Sequence, residues 1–423
     1  MRITILSILM CVSSLVYATD GVYKFDFTGG KARKGYIAVT SEMTYTDERG
    51  YGYDLQPTPE AGSNAPFFFS VQVPDGNYKV TVKLGSGRES GETTVRGESR
   101  RLFVERCKTE TGKYVKCTFN VNKRTTRISD TERVRIKPRE RNKLNWDDKL
   151  TLEFNGPRPR VAEVIIEPTN KPITVFLCGN STVVDQDNEP WGSWGQMIPR
   201  FFTDKVAVAN YAESGESANT FLAARRLDKA LTQMKAGDYV FVEFGHNDQK
   251  QKGKGKGPWT SFYDSLKQYI VKAREKGATV VFVTPTQRRS FGDDGKIKDT
   301  HGEYPMAMRR LAEEEGVPVI DLNEMTRCLY ETLGVERSKL AFAHYPANTF
   351  PGQTVALEDN THFNPYGAYQ IAKCVLQGIK DNKLGLAKYI KDFKSYNPAY
   401  PDVPEAFDWD LSPFTEIEKP DGN

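Results

Sequence analysis

Residues 173–182 read ITVFLCGNST. From Ile173 to Cys178 every side chain is apolar or β-branched, and a glycine, an amide and two hydroxyls follow at once. Such an unbroken run is the pattern of a strand covered on both faces. Downstream, the spacing predicts an alternation. A helix over Ser193–Phe202 is followed by a strand over Val206–Tyr211, then a helix over Ala218–Met234 with Arg and Lys on its outer face. Strands over Tyr239–Phe244, Thr279–Val283 and Val317–Ile320 alternate with helices over Phe262–Lys276 and Tyr304–Glu315. Two more helices are expected near Asn323–Leu333 and Pro365–Lys380. Regular β-α alternation means parallel strands with covering helices. We therefore expect a three-layer α/β/α domain with a five-stranded parallel sheet over residues 172–385. Residues 386–423, rich in Pro, Asp and aromatics, are expected to pack on it as an irregular strap.

Upstream the period changes. Between residues 21 and 168, short alternating runs are separated by turn residues, with no helical stripe. Phe67–Val73, the turn Pro74–Asn77 and Tyr78–Leu84 carry a hairpin-like signature. This stretch reads as an all-β domain of sandwich or jelly-roll type. Near the N-terminus Arg2 is followed by a run from Ile3 to Val16 that is apolar with small polar interruptions, and by Val16-Tyr17-Ala18 before Thr19. That is the pattern of an export signal over residues 1–18. We expect a periplasmic or extracellular protein; Cys11 keeps a lipid anchor open as the alternative. Cys107 and Cys117 flank a turn-like segment and are placed to pair across a hairpin, whereas Cys178, Cys328 and Cys374 read as buried small hydrophobes.

The net charge is only +4, from 59 Lys+Arg against 55 Asp+Glu, which argues against a dedicated nucleic-acid binder. The N-terminal run is the only long apolar one, so no membrane insertion is expected. No His-Glu-x-x-His and no Cys-x-x-Cys occurs, so no metal and no cofactor is implied.

In an open parallel sheet the site lies at the carboxyl ends of the strands. The first strand ends in Gly179-Asn180-Ser181-Thr182, where a hydroxyl and its own N–H are exposed together. The second runs into Asn210 to Ser217, with Gly215 able to bring its N–H close to a ligand. The third ends in Gly245-His246-Asn247-Asp248. Far downstream, Asp359-Asn360-Thr361-His362 precedes the helix that Pro365 starts. A nucleophile, a base with a carboxylate neighbour and several N–H donors are the equipment of acyl transfer. Ser181 would attack, His362 would carry the proton, and Asp359 would hold the imidazole. The N–H groups of Ser181 and Gly215 and the Asn247 side chain would bind the oxyanion. Glu358 and Asp321 are rivals for the carboxylate; Asp321 is better placed to cap the helix near Asn323.

These blocks, in this order and at these strand ends, resemble those of SGNH (GDSL-like) hydrolases over roughly residues 172–385. The wording around Asn210, Gly215 and Gly245–Asp248 is most similar to rhamnogalacturonan acetylesterases, which act on pectin. Residues 21–168 resemble the galactose-binding-like β-sandwich that some members carry. The resemblance implies a serine esterase removing acetyl groups from a pectic polysaccharide. One departure stands out: Asn180 replaces the family's usual Asp, which implies altered electrostatics in the loop. The run Lys250–Gly257 and the pair Arg288-Arg289 supply positive charge suited to an acidic polysaccharide, and His344 is a further candidate for substrate binding. The alternatives are an esterase for acetylated xylan or lipid, and a carbohydrate-binding protein without catalysis.

Overall fold

The computed structural model describes residues 21–31, 33–56, 63–413 and 418–421. The export segment 1–18, with Cys11, lies outside the described residues. The N-terminal region is built from β1 (Tyr23–Asp26), β2 (Ile37–Ala38), β3 (Tyr51–Asp54), β4 (Phe67–Gln72), β5 (Gly76–Leu84), β6 (Gly91–Gly97), β7 (Arg101–Thr109), β8 (Val115–Lys123), β9 (Lys149–Arg158) and β10 (Val161–Thr169). One sheet has the order β3-β4-β9-β6-β7, and β8-β5-β10-β1-β2 run side by side in the other. Pairing is antiparallel throughout except for the short β1–β2 contact. Along β5, Tyr78, Val80, Val82 and Leu84 are buried while the residues between them are partly exposed, the period of two expected of a strand. Phe69, Leu152 and Phe154 of the first sheet share one core with Val80, Phe119 and Val164 of the second, the packing of a β-sandwich.

Two short-range expectations are corrected here. The Pro74–Asn77 turn joins no hairpin: β4 pairs with β3 and β9, β5 with β8 and β10. Cys107 and Cys117 likewise belong to no hairpin: they sit on β7 and β8, strands of opposite sheets, with their two thiols side by side within hydrogen-bonding reach. Both connections arch over the core, because both flanking strands have an apolar face that is buried only by placing one in each sheet.

The second half carries β11 (Ile173–Gly179), α1 (Trp194–Met197), β12 (Val206–Asn210), α2 (Ala218–Ala223), α3 (Arg226–Gln233), β13 (Tyr239–Glu243), α4 (Tyr263–Glu275), β14 (Thr279–Val283), α5 (Tyr304–Glu315), β15 (Val319–Ile320), α6 (Leu322–Arg337), β16 (Phe342–Tyr345), β17 (Leu357–Phe363) and α7 (Pro365–Asp381). The parallel strands have the order β15-β14-β13-β11-β12. Val175 and Leu177 pack with α1, α6 and α7; Phe176 and Cys178 pack with α2 to α5. The three layers are as expected. Asp321 caps α6 by accepting from the Glu324 N–H.

The five parallel strands do not end at β12. Val208 of β12 pairs with Val121 of β8, so both halves share one ten-stranded sheet. The predicted helix over Ala218–Met234 is also corrected. It breaks at Arg225, whose φ is 64°, into α2 and α3. Its Arg226 and Lys229 are not on an outer face but buried, because the β region covers them with Glu140 and Asp75. Arg100 and Arg101, at the β6–β7 turn, reach into the α/β half. Arg100 donates to the carbonyls of Gln186 and Trp191, and Arg101 donates to that of Val208. The C-terminal strap packs on both halves. Trp409 lies over the Arg96 guanidinium, and Ser412 bonds Glu153 and Glu189.

Candidate active site

Ser181 follows β11 in a tight turn in which the Asn180 carbonyl accepts from the N–H groups of Val183 and Val184, both at 3.0 Å. A Cβ at Gly179 would lie 2.6 Å from Val183 Cγ2 and 3.1 Å from the Glu243 carbonyl, so the corner needs glycine. His362 and Asp359 lie on β17, a strand paired with β16, just before the helix that Pro365 starts. His362 Nε2 is 2.8 Å from Ser181 Oγ, and His362 Nδ1 is 2.8 Å from Asp359 Oδ2. The other Asp359 oxygen accepts from the N–H groups of Thr361 and His362 at 2.9 and 3.0 Å. Burial opposes the Asp359 charge, but the bonds from His362 and from these N–H groups outweigh it and hold the carboxyl well below its usual range. Glu358 is exposed on the same strand and Asp321 caps α6, so neither takes this place. A hydroxyl bonded to an imidazole that is fixed by a carboxylate can lose its proton as it attacks a carbonyl carbon.

The loops that follow β12 and β13 are tied to each other. Asp248 ties two loops together by accepting from the N–H groups of Ala218 and Gly245 at 2.8 and 2.9 Å. That clamp sets Asn247 against the loop holding Gly215: the Asn247 amide donates to the Glu216 carbonyl at 2.9 Å and keeps its second hydrogen. Gly215 has φ 77°, a left-handed conformation that suits glycine. Among the described residues, the N–H groups of Ser181 and Gly215 donate to no protein acceptor. An oxyanion needs such free donors. Removing the Asn247 amide, as Asn247→Ala, is expected to lower kcat on an acetyl ester by roughly 10²–10³-fold; a steady-state assay reads this directly.

Behind Ser181 lies a buried acid. Thr182 Oγ1 is 2.8 Å from Asn180 Oδ1 and 2.7 Å from Glu243 Oε1, and Trp194 Nε1 donates to the other Glu243 oxygen at 2.6 Å. Thr182 has one hydroxyl hydrogen for two oxygens. A protonated Glu243 resolves this: it donates to Thr182, which donates to Asn180. Burial pushes the Glu243 carboxyl up to about 7, against the pull of these hydrogen bonds. An Asp at position 180 would place a second carboxyl on the same hydroxyl, so the amide keeps one charge out of this corner. The folded state holds the Glu243 proton up to about 7, while the free side chain releases it near 4.5. Between those values the folded state binds more protons, so this group's contribution to stability falls as pH rises. Glu243→Gln, a neutral isostere, is expected to match wild type near pH 4.5 and to exceed it above pH 7 by up to about 3 kcal/mol. Urea unfolding at both pH values would show it. No such gain would mean that Glu243 is ionised in the folded protein.

The three residues read as substrate-binding fall into two groups. Arg289 Nη1 and His344 Nε2 both meet Asn360 Oδ1, at 3.0 and 2.9 Å, next to Asp359. Arg288 is partly buried, donates to the His246 carbonyl at 3.2 Å, and meets no carboxylate among the described residues. His246 is buried with its ring edge-on to His301, 4.6 Å between centroids, and does not serve as the base. Trp191 is core, whereas Trp259 is exposed. Sequence reading missed Glu243 and the buried cations of the β region. Their one visible signal was charge at positions where a strand pattern demands burial.

A family model described as GDSL-like Lipase/Acylhydrolase matches residues 177–369. Rhamnogalacturonan acetylesterase RhgT of Bacillus subtilis (strain 168) is 44% identical over 222 residues, 52% of this chain and 95% of that protein. The chain belongs to the GDSL-like acylhydrolase family. A probable rhamnogalacturonan acetylesterase of the same organism, YesY, is 33% identical over 219 residues, 51% of this chain and 96% of its own. The uncharacterized esterase YxiM, also of Bacillus subtilis, is 25% identical over 407 residues and covers 89% of this chain and 96% of its own, so that match takes in the β region too. The stretch matched by the acylhydrolase family model contains Ser181, Gly215, Asn247, Asp359 and His362.

Proposed function

We propose that this acylhydrolase is an exported serine carbohydrate esterase that removes O-acetyl groups from pectic rhamnogalacturonan. The observation that carries the mechanism is the chain Ser181 Oγ–His362–Asp359, closed by two contacts of 2.8 Å. Ser181 attacks the acetyl carbonyl while His362 takes its proton. The N–H groups of Ser181 and Gly215 and the Asn247 amide receive the oxyanion. His362 then gives that proton to the departing sugar oxygen, which leaves as the alcohol, and water, activated by the same imidazole, releases acetate from Ser181.

The substrate class is supported by the identity to RhgT. It is supported also by Arg288, a partly buried guanidinium facing no carboxylate among the described residues, which suits a uronate. Arg289 and His344 act through Asn360, fixing the segment that carries Asp359. The test is acetate release by the purified protein from acetylated rhamnogalacturonan and from acetylated xylan. Faster release from rhamnogalacturonan is expected. Preference for xylan would keep the mechanism and move the substrate; no release from either by folded protein would overturn the reading.

A further inference from the structure

The nucleophile is only 3% exposed, and part of what covers the site is the chain's own end. Lys419 Nζ lies 3.9 Å from Asp359 Oδ2, and Pro420 is buried. Asp421 Oδ2 lies 3.5 Å from Arg139 Nη1. A Cβ built on Gly215 would be 3.1 Å from Asp421 Cβ and 2.9 Å from Lys137 Nζ. Residues 419–421 therefore run from the carboxylate that holds His362 to the glycine of the oxyanion site. The two cations at the far end, Lys137 and Arg139, come from the β8–β9 connection of the β region.

We propose that the cleft filled by Lys419, Pro420 and Asp421 is the groove for an acidic polysaccharide. Lys137 and Arg139 take a uronate carboxylate there, and Asp421 holds its place in the free protein. The inference rests on the esterase reading and adds to it the residues that select an acidic chain. The Arg139 and Lys137 side chains are 17% and 28% exposed, so both present a face to the cleft while anchored behind by Glu213, Glu216 and the Ser214 carbonyl. Arg139 Nε is buried without a hydrogen-bond partner. A guanidinium already fixed in place loses little entropy when it binds a second carboxylate. Among the described residues, Glu418–Asp421 makes two ion pairs, at 3.9 and 3.5 Å, and no hydrogen bond to the rest. Asp421 is 55% exposed, and exposed pairs contribute little. A uronate drawn into direct contact, with the rest of its chain bound along the groove, displaces it.

Two measurements test this. Calorimetry with trigalacturonate, which carries no ester, is run on the Ser181→Ala protein and on that protein with Asp421→Asn, with residues 418–423 removed, or with Lys137→Gln. Removing the tail or the Asp421 charge is expected to tighten binding at least threefold, and Lys137→Gln to weaken it about tenfold. Kinetics of the Ser181 protein then follow KM on an acetylated rhamnogalacturonan oligosaccharide and on p-nitrophenyl acetate. Lys137→Gln should raise the first several-fold more than the second. Equal affinities with and without the tail, or equal KM shifts on both esters, would overturn the proposal and make residues 418–421 a structural strap. If wild type hydrolyses neither ester, the esterase reading fails, while the calorimetry still decides the groove.

Discussion

Replacing Ser181 with alanine is expected to lower kcat for ester hydrolysis by roughly 10⁴-fold or more while leaving the fold intact. In the proposed mechanism the hydroxyl is the one group that forms a bond to substrate, and every other member prepares or stabilises that bond. Its removal leaves His362 held at Nδ1 by Asp359, and Asn247 clamped by the Glu216 carbonyl, so the pocket keeps its shape. Ser181 Oγ bonds no partner besides His362 among the described residues. The stability cost is therefore that of one buried hydrogen bond, about 1 kcal/mol. Acetate release and urea unfolding on the same preparation separate the two effects. Undiminished release would move the nucleophile elsewhere. Loss of release together with unfolding would say that the hydroxyl holds the turn rather than the chemistry.

The largest stability effect is expected at Arg101, which the sequence presents as an ordinary strand residue. Its Nε lies 3.0 Å from Asp185 Oδ2, and its Nη groups donate to the carbonyls of Asn122 at 3.0 Å and Val208 at 3.3 Å, with both side chains fully buried. Burial pushes the Asp185 carboxyl up to about 6, with Arg101 and Arg124 pulling against it. Those two cations favour its ionised form. Asp185 in turn accepts from Asn210 Nδ2 at 2.8 Å, and Asn210 also bonds the Val183 carbonyl two residues from Ser181. Arg101→Met should cost about 3–5 kcal/mol, since it strands a charge in the interior. Adding Asp185→Asn should recover much of that loss, because the stranded charge is gone. Chemical denaturation of the two variants checks both statements. Failure of the second change to recover stability would place the cost in lost packing instead. The pairing also gives the β region a definite role, as a buttress for the loop that follows Ser181.

The α/β half was legible because its signals are local. The apolar run at Ile173, the helical stripes and the residues at each strand end follow from periods of two and 3.6 along the chain. Thr279–Val283 and Tyr304–Glu315 fall where the period places them. Ser181, Gly215, Asn247 and Asp359–His362 were legible as chemistry-bearing types at the ends where a parallel sheet collects its loops. That β17 continues through Asp359 and His362 as a paired strand was not, since its partner β16 offers little alternation to read. In the β region the strands could be found but not assigned to sheets. Pro74–Asn77 has a hairpin's composition, yet burying two apolar faces against each other outweighs a local turn preference.

By itself, then, the sequence determined the period of each element, the order in which strands and helices alternate, and the residue types offered at the strand ends. Only the tertiary structure decided that β8 joins β12. It also decided that Arg101, Arg226 and Lys229 are buried against carboxylates far away in the chain, and that Asp421 lies over Gly215. The division has a physical origin. Backbone sterics and amphipathic periodicity act over a few residues. Desolvation and charge pairing depend on which distant segment closes over a group, and no local pattern records that.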